Sequence, residues 1–158
     1  MRTFLDGRAQ SYLRGTGTGG GCAGAHTLRR VSGYTVKNLM DLEDRAKDRG
    51  SDVEARFARQ HIDSEHLGVS YFRYAPGFRS VGHHHREQEE AYVVVGGSGR
   101  IKLGEDILEL RRWDVVRVAP QTVRAFEAGA DGLELIAVGS DRPEEGDGVL
   151  VQDWWTDH

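Results

Sequence analysis

The chain has 158 residues, one cysteine and a formal net charge of -4. Its length predicts a single domain that can bury a hydrophobic core, and its acidic balance argues against a nucleic acid or an anionic membrane as a partner, since both attract basic surfaces. A single cysteine excludes an internal disulfide framework, and no apolar run reaches the length of a membrane span, so we expect a cytoplasmic protein.

Residues 1–30 are predicted to be a flexible extension, because they concentrate glycine without apolar periodicity. The glycine run matches G-x-G-x-x-G twice, but no apolar strand precedes it and no helix directly follows, so a dinucleotide site is not expected. Cys22 and His26 lie in the same run, and two isolated ligands more often have no role than form a metal site. The globular domain is predicted to occupy residues 31–158.

One short strand and one short helix are predicted at the start of this domain. Residues 34–37 favour the strand, Asn38 is a suitable N-cap for the helix, and Gly50 is a suitable stop. The apolar residues fall on one narrow face, which predicts a helix that covers the rest of the domain as a lid; they are Leu39, Leu42 and Ala46.

From Val53 onward the apolar residues recur with a period of two, which is typical of β-strands. His61 and His66 lie in a polar, turn-like cluster between the first two strands and are expected to be exposed loop residues. A turn at residues 104–106 predicts a hairpin. Short strands with regular turn signals and little helix predict an all-β barrel or sandwich. The predicted strands cover residues 53–57, 67–72, 91–95, 100–103, 107–110, 115–118, 122–126 and 133–138.

The segment after the last predicted strand, residues 140–148, is acidic and rich in turn residues. Trp154 and Trp155 follow it, and their large rings are expected to pack against the barrel exterior or against a partner subunit. The sequence therefore leaves open that a second copy of the chain is a partner in a homodimer.

The stretch from Gly77 to Gly99 contains the candidate site. His83 and His85 are two residues apart, so both imidazoles project from one face of an extended strand, while His84 points to the other side. Glu90 opens the next apolar run, and a short connection lets its carboxylate reach back to the imidazoles. Two histidines and a carboxylate form a ligand set that leaves open positions on iron and related metals. The alternative is a solvated hairpin tip, which charge-rich runs commonly form.

This stretch resembles the first motif of the cupin family, G-x5-H-x-H-x4-E-x6-G, at every defined position. The matching residues are Gly77, His83, His85, Glu90 and Gly97. The resemblance implies a single cupin-type jelly-roll β-barrel of short antiparallel strands, which contains a small-molecule or metal site. It also implies that His83, His85 and Glu90 bind one divalent transition metal, for which iron, manganese, nickel and zinc are all candidates.

The second cupin motif, G-x5-P-x-G-x2-H-x3-N, has lost its defined residues. Residues 113–128 align with it, and Arg124 stands in place of the histidine that completes the metal site in the family. The strand, turn, strand pattern is retained, so the resemblance implies the fold but not a fourth ligand. The other replaced positions are Trp113 and Gln121 for the glycines, Ala119 for the proline and Ala128 for the asparagine.

Arg124 cannot bind a metal, because a guanidinium stays protonated and has no lone pair to donate. Three positions are open to it: a clamp on a substrate carboxylate or phosphate, a buried ion pair with Glu90 in place of the metal, or a structural position at the barrel mouth. We favour the first. By strand alternation Tyr92 shares a face with Glu90, and Phe126 shares one with Arg124. The predicted substrate-binding residues are therefore Arg124, Tyr92 and Phe126.

Three functions are consistent with these residues. The resemblance favours a metal centre for dioxygenation or isomerisation of a small, anionic organic molecule. A second hypothesis is non-catalytic binding of a small molecule, or regulation, with Arg124 replacing the fourth ligand. A third is a structural dimer module that retains a site without function.

Overall fold

The computed structural model describes residues 33–143 and 146–156. The predicted glycine-rich extension, with Cys22 and His26, lies outside the described residues. None of the helices in the described ranges has the length and hydrophobicity that a membrane crossing requires.

Within the described residues, eight strands pair antiparallel in one curled sheet, which confirms the predicted all-β architecture. The order along the sheet is β1-β2-β7-β3-β8, and β4 pairs with β5, β6 and β7. The two longest strands, β4 and β7, therefore form the centre of the sheet. The strands are β1 (Val53–Phe57), β2 (Gly68–Tyr74), β3 (Gly82–His85), β4 (Glu90–Leu103), β5 (Asp106–Arg111), β6 (Val115–Val118), β7 (Arg124–Gly139) and β8 (Gly148–Val151).

Two strands that the sequence predicted separately form one continuous strand with a bulge between them. Residues 91–95 and 100–103 both belong to β4, whose register against β7 shifts on either side of Gly97. Gly97 has a φ of 64°, and a Cβ on it would lie 2.0 Å from the carbonyl oxygen of Gly132 in β7. Glycine therefore permits a close approach of the two backbones here, and the strand continues through it.

The segment before β1 differs from its prediction. Residues 34–37 form no strand, and the predicted helix consists of two single-turn 3-10 helices, Leu39–Asp41 and Lys47–Arg49. Asn38 does cap the first, since its Oδ1 accepts a hydrogen bond from Met40 N–H at 3.0 Å. The Asp44 carboxylate prevents a continuous helix, because it accepts hydrogen bonds from the backbone amides of Ala46 and Ala55 and so ties the segment to β1.

The interior of the barrel is apolar except at one end. Its core comprises residues from β2, β4, β5, β6 and β7, including Tyr74, Val94, Ile101 and Leu135. The charged side chain of Arg124, at the start of β7, is also fully buried. A buried guanidinium needs an anionic partner, because burial of an unpaired charge is strongly unfavourable.

The C-terminal tryptophans pack against the barrel of their own chain, which is the first of the two predicted alternatives. Trp155 Nε1 donates a hydrogen bond to the carbonyl oxygen of Ser80, and the Trp154 ring lies against Gly82 of β3. Lys102 Nζ donates to the Trp154 carbonyl at 2.8 Å. A surface cavity of about 270 Å³ lies beside both tryptophans, and no candidate site residue lines it. The homodimer stays a prediction.

Candidate metal centre

The ends of β3 and β4 bring the two histidines and the glutamate together. His83 and His85 project from β3 toward Glu90, the first residue of β4, and their ring centroids are 5.6 Å apart. Ligand atoms of His83, His85 and Glu90 all lie within 4.8 Å of one another. The three residues that the sequence predicted as metal ligands therefore converge on one point.

The spacing of these atoms fits a first-row divalent ion. Nε2 of His85 and Oε2 of Glu90 are 3.2 Å apart. Two ligand atoms that each lie about 2.1 Å from one ion are separated by about 3.0 Å at a right angle and about 3.4 Å at a tetrahedral angle. The observed distance lies between these values, so the pair suits either coordination geometry.

His83 is held as a neutral imidazole. Burial lowers its pKa to about 4, and the nearby Arg124 guanidinium contributes to the same shift. At neutral pH a lone pair on this ring is therefore free of a competing proton, as a metal ligand requires.

Glu90 is held as a carboxylate by three donors. Nε2 of His85, the hydroxyl of Tyr92 and Nη2 of Arg124 all contact its Oε2 atom. Burial alone would raise the pKa of Glu90, but these hydrogen bonds outweigh burial and lower the pKa to about 2. The group stays ionised across the physiological pH range.

Arg124 contacts Glu90, which is the contact named in the second of the three alternatives, and its predicted role in substrate binding stays a prediction. Its Nη2 atom pairs with Glu90, and its Nε donates to the Tyr92 hydroxyl at 3.2 Å. Nη1 donates to the carbonyl oxygens of Pro120 and Thr122 at 3.4 and 3.3 Å. The guanidinium therefore fills the interior beside the triad, and contact with a substrate requires it to release or share Glu90.

Tyr92 and Phe126 form the apolar floor beneath this ion pair. Their side chains are 3% and 2% exposed, and their ring centroids are 4.9 Å apart. Burial and the charge of Glu90 raise the pKa of Tyr92, so its hydroxyl stays protonated and acts as a donor. The predicted role of both residues in substrate binding stays a prediction.

Asp147, which the sequence analysis missed, supports the triad from behind. Its fully buried carboxylate accepts hydrogen bonds from the backbone amides of Arg86, Glu87 and Gln88, in the loop between β3 and β4. Its Oδ2 also lies 3.3 Å from Nδ1 of His85, within ion-pair distance but outside hydrogen-bond alignment. A carboxylate that accepts a hydrogen bond from a histidine ligand directs the opposite ring nitrogen toward a metal, and Asp147 lies 3.3 Å from the ring nitrogen that would donate it. No local pattern marked Asp147, which lies in the segment predicted as acidic turns.

The other described histidines and Glu89 lie outside this group of potential ligands. His84 contributes no ligand to the group, and its Nδ1 contacts the carbonyl oxygen of its neighbour His85 at 3.2 Å. His66 is an exposed loop residue, as predicted, whereas His61 is exposed but ends a short 3-10 helix, Arg59–His61. Glu89 points outward and pairs with Arg117 on β6.

Comparison with known proteins identifies the architecture. No protein-family model matches the sequence, and no curated protein matches it either. A solved cupin protein from Bacteroides fragilis superposes with a TM-score of 0.57 and 18% identity, over 80% of this chain and 99% of that one. The chain has the cupin fold.

Two further structures share this cupin fold. A cupin-2 domain from Rhodospirillum rubrum matches over 65% of this chain and 67% of its own, with a TM-score of 0.56 and 17% identity. Oxalate decarboxylase from Bacillus subtilis matches over 76% of this chain, with a TM-score of 0.64 and 22% identity. The match covers 34% of the decarboxylase chain, so the present sequence corresponds to about a third of that protein.

Proposed function

We propose that the protein binds one divalent transition metal through His83, His85 and Glu90 and acts on a small, anionic organic molecule. The convergence of these three side chains within 4.8 Å carries the proposal. Oxalate decarboxylase of Bacillus subtilis, which has the same fold, contains Mn(II) centres, and this supports manganese as the first ion to test. When bound, such an ion polarises a substrate oxygen or activates dioxygen, which suits isomerase or oxygenase chemistry.

The chain's own residues then have separate tasks. His83 and His85 would supply nitrogen ligands, and Glu90 would supply an anionic oxygen. Arg124 presents a permanent positive charge that can orient a carboxylate. The Tyr92 hydroxyl donates a hydrogen bond rather than accepting a proton from substrate, because its raised pKa keeps it protonated. Phe126 excludes water from the side of the site that faces the core.

A second candidate function is a metal-independent barrel that binds a small anion. The observation that favours it is the contact between Arg124 and Glu90, in which a guanidinium neutralises the carboxylate that a metal would use. In that case the ion pair is permanent, and the histidines contact the ligand only as hydrogen-bonding groups.

Calorimetric titration with Mn²⁺ separates the two functions. Wild-type protein, first dialysed against a chelator, is expected to bind one ion per chain, and the Glu90→Ala and His83→Ala variants are expected to lose this binding. The chain provides matched controls, because Glu89 directly precedes Glu90 and His84 lies between the two histidine ligands. The side chains of both control residues make other contacts and lie outside the group. Glu89→Ala and His84→Ala should bind as the wild type does.

A wild-type protein that binds none of manganese, iron, nickel or zinc would refute the metal proposal and favour the anion-binding barrel. Equal losses in Glu89→Ala and Glu90→Ala would show that the ion binds elsewhere. Where the expected pattern holds, oxygen consumption with a panel of small carboxylates is the next measurement for oxygenase activity.

A further inference from the structure

The C-terminal segment, residues 154–156, packs on the outer side of β3, opposite to the metal site. Successive residues of a strand face opposite sides, so Gly82 lies on the outer face while the next residue, His83, faces the group of potential ligands. A Cβ on Gly82 would lie 2.6 Å from Cβ and Cγ of Trp154. The tryptophan therefore packs directly on the β3 backbone, one residue before the first proposed metal ligand.

Few backbone bonds join β3 to the barrel. Its register against β7 consists of one pair, His83 with Arg124. The amides of Ser80 and His85 donate to carbonyl oxygens of the barrel at 2.8 and 2.9 Å, on either side of this pair. The other neighbour of β3 is β8, which pairs with no further strand among the described residues. The position of the two histidines therefore depends on contacts other than strand pairing.

Trp155 makes a second contact with the residues that lead into β3. Its Nε1 donates a hydrogen bond to the carbonyl oxygen of Ser80 at 3.0 Å. The guanidinium groups of Arg79 and of Arg100 on β4 lie 5.1 and 5.7 Å from the centre of its ring, and both also pair with Glu127 of β7. Cations at these distances are attracted to the face of a tryptophan. Trp155 thus joins the start of β3 to β4.

Lys102 of β4 anchors the same segment on the other side of β7. Its side chain is buried, and Nζ donates to the carbonyl oxygen of Trp154 at 2.8 Å and to Oγ1 of Thr156 at 3.4 Å. The ammonium group also lies 5.0 Å from the centre of the Trp154 ring. Because β7 pairs with both β3 and β4, the segment connects two strands that are not neighbours in the sheet.

We propose that Trp154 and Trp155 are positioning residues for the metal site, which hold β3 so that His83 and His85 keep the spacing that one ion requires. This inference rests on the proposed function, because it concerns ligands of the same ion. Both tryptophans contact the outer side of β3 and act on the ligands through its backbone. Loss of Trp154 leaves the barrel folded but lets β3 move relative to β4, which carries the third ligand.

Titration of Mn²⁺ into chelator-treated variants tests this role. Trp154→Ala should raise the dissociation constant at least tenfold. Trp154→Phe should stay within threefold of wild type, because it keeps a ring against Gly82 and loses an indole N–H that has no hydrogen-bond partner among the described residues. Leu110→Ala removes a buried side chain from β5, which pairs with β4, and so destabilises the fold without a change at β3. It should also stay within threefold.

Lys102→Met tests the anchor on β4 and serves if Trp154→Ala does not fold. It removes the ammonium group and keeps the apolar stem, so the segment loses two hydrogen bonds at that end. The dissociation constant of Mn²⁺ should rise at least threefold. In the double variant with Trp154→Ala, the constant should lie within twofold of that of Trp154→Ala, because both changes act through one segment. Fully multiplicative effects would overturn the shared action.

Carbethoxylation of histidines by diethyl pyrocarbonate, measured by peptide mass spectrometry, gives a readout that needs no metal. In the metal-free protein, His83 should react at least threefold faster in Trp154→Ala than in wild type, because the strand that buries its ring is no longer held. The exposed His61 and His66 are internal controls and should react at wild-type rates.

The outcomes separate this inference from the proposed function. Absence of Mn²⁺ binding by wild type overturns the proposed function, and the reactivity of His83 then still decides whether the tryptophans hold β3. Binding of Mn²⁺ with the same constant by wild type and Trp154→Ala overturns the positioning role and leaves the metal site intact. Equal losses of affinity in Leu110→Ala and Trp154→Ala also overturn it, because the affinity would then follow global stability.

Discussion

Replacement of Asp147 with alanine is expected to weaken both the loop between β3 and β4 and the metal site. The carboxylate accepts hydrogen bonds from three successive amides, those of Arg86, Glu87 and Gln88. The first two residues are exposed, so water can replace their lost acceptor, whereas Gln88 is 6% exposed and its amide would stay unpaired. A buried donor without a partner costs about 1–3 kcal/mol, and loss of hydrogen bonds to a charged acceptor adds to this. We expect a total loss of about 3 kcal/mol in unfolding free energy.

The same change should weaken metal binding, because the ring of His85 loses the carboxylate behind it. Loss of such a partner typically lowers metal affinity about 10–100-fold. Urea unfolding monitored by circular dichroism measures the unfolding free energy, and Mn²⁺ titration measures the affinity for the ion. Asp141→Ala is a matched control, because Asp141 is an exposed aspartate that contacts only a loop histidine in the described structure.

Two results would refute this reasoning about Asp147. If Asp147→Ala unfolds at the same urea concentration as Asp141→Ala, the three hydrogen bonds do not stabilise the loop. If stability falls but the Mn²⁺ dissociation constant changes less than twofold, Asp147 orders the loop without orienting His85. The Asp147→Asn variant retains the shape without the charge, and its affinity should lie between those of alanine and wild type.

Three further changes test the backbone and the buried imidazole. Trp113 has a φ of 76° and is 65% exposed, so Trp113→Gly should raise the unfolding free energy by about 1 kcal/mol in urea titrations; a fall would refute strain there. Gly97→Ala should lower it by about 3 kcal/mol or more, whereas Gly104→Ala, also at positive φ but with open space around it, should cost about 1 kcal/mol; equal losses would argue against the contact with β7. Burial lowers the pKa of His83 in the folded protein to about 4, so the unfolded chain binds more protons than the folded chain between pH 6.5 and 4. The unfolding free energy of the metal-free protein must therefore decrease as the pH is lowered through this window. Between pH 7.5 and 5, wild type should lose about 2 kcal/mol more than His83→Gln, and identical losses would contradict a neutral buried imidazole.

The sequence predicted the β-rich fold and the convergence of the triad because both depend on short-range patterns. A spacing of two residues places His83 and His85 on one face of a strand whatever the rest of the chain does. Glu90 begins the next strand after a short loop, so it can reach only nearby residues. Both features therefore depend on a short stretch of chain.

Other features depend on contacts between distant segments. Leu42 and Ala46 are buried, as the helical pattern predicted, but the backbone follows the hydrogen bonds of Asp44 to β1 instead of forming a continuous helix. The bulge at Gly97 exists because of Gly132 on another strand. Asp147 supports the site from a segment far along the chain. Local periodicity contains no information about any of these partners.

The sequence limited the position of Arg124 to three alternatives, but it could not decide between them. Strand alternation places its side chain on the inner face, and its chemistry excludes metal coordination. Whether it contacts a substrate or Glu90 depends on distances across the barrel. The structure shows Nη2 in contact with Glu90, and the predicted contact of Arg124 with a substrate stays a prediction.

The most direct test of the metal site is anomalous diffraction from crystals grown with Mn²⁺, recorded near the manganese absorption edge. One strong peak is expected at coordination distance, about 2.0–2.3 Å, from a ring nitrogen of His83, Nε2 of His85 and a carboxylate oxygen of Glu90. Crystals of Glu90→Ala grown in the same way should lack this peak, whereas those of Glu89→Ala should retain it. A peak at other residues, or crystals without a peak in which Arg124 still pairs with Glu90, would contradict a metal site at His83, His85 and Glu90.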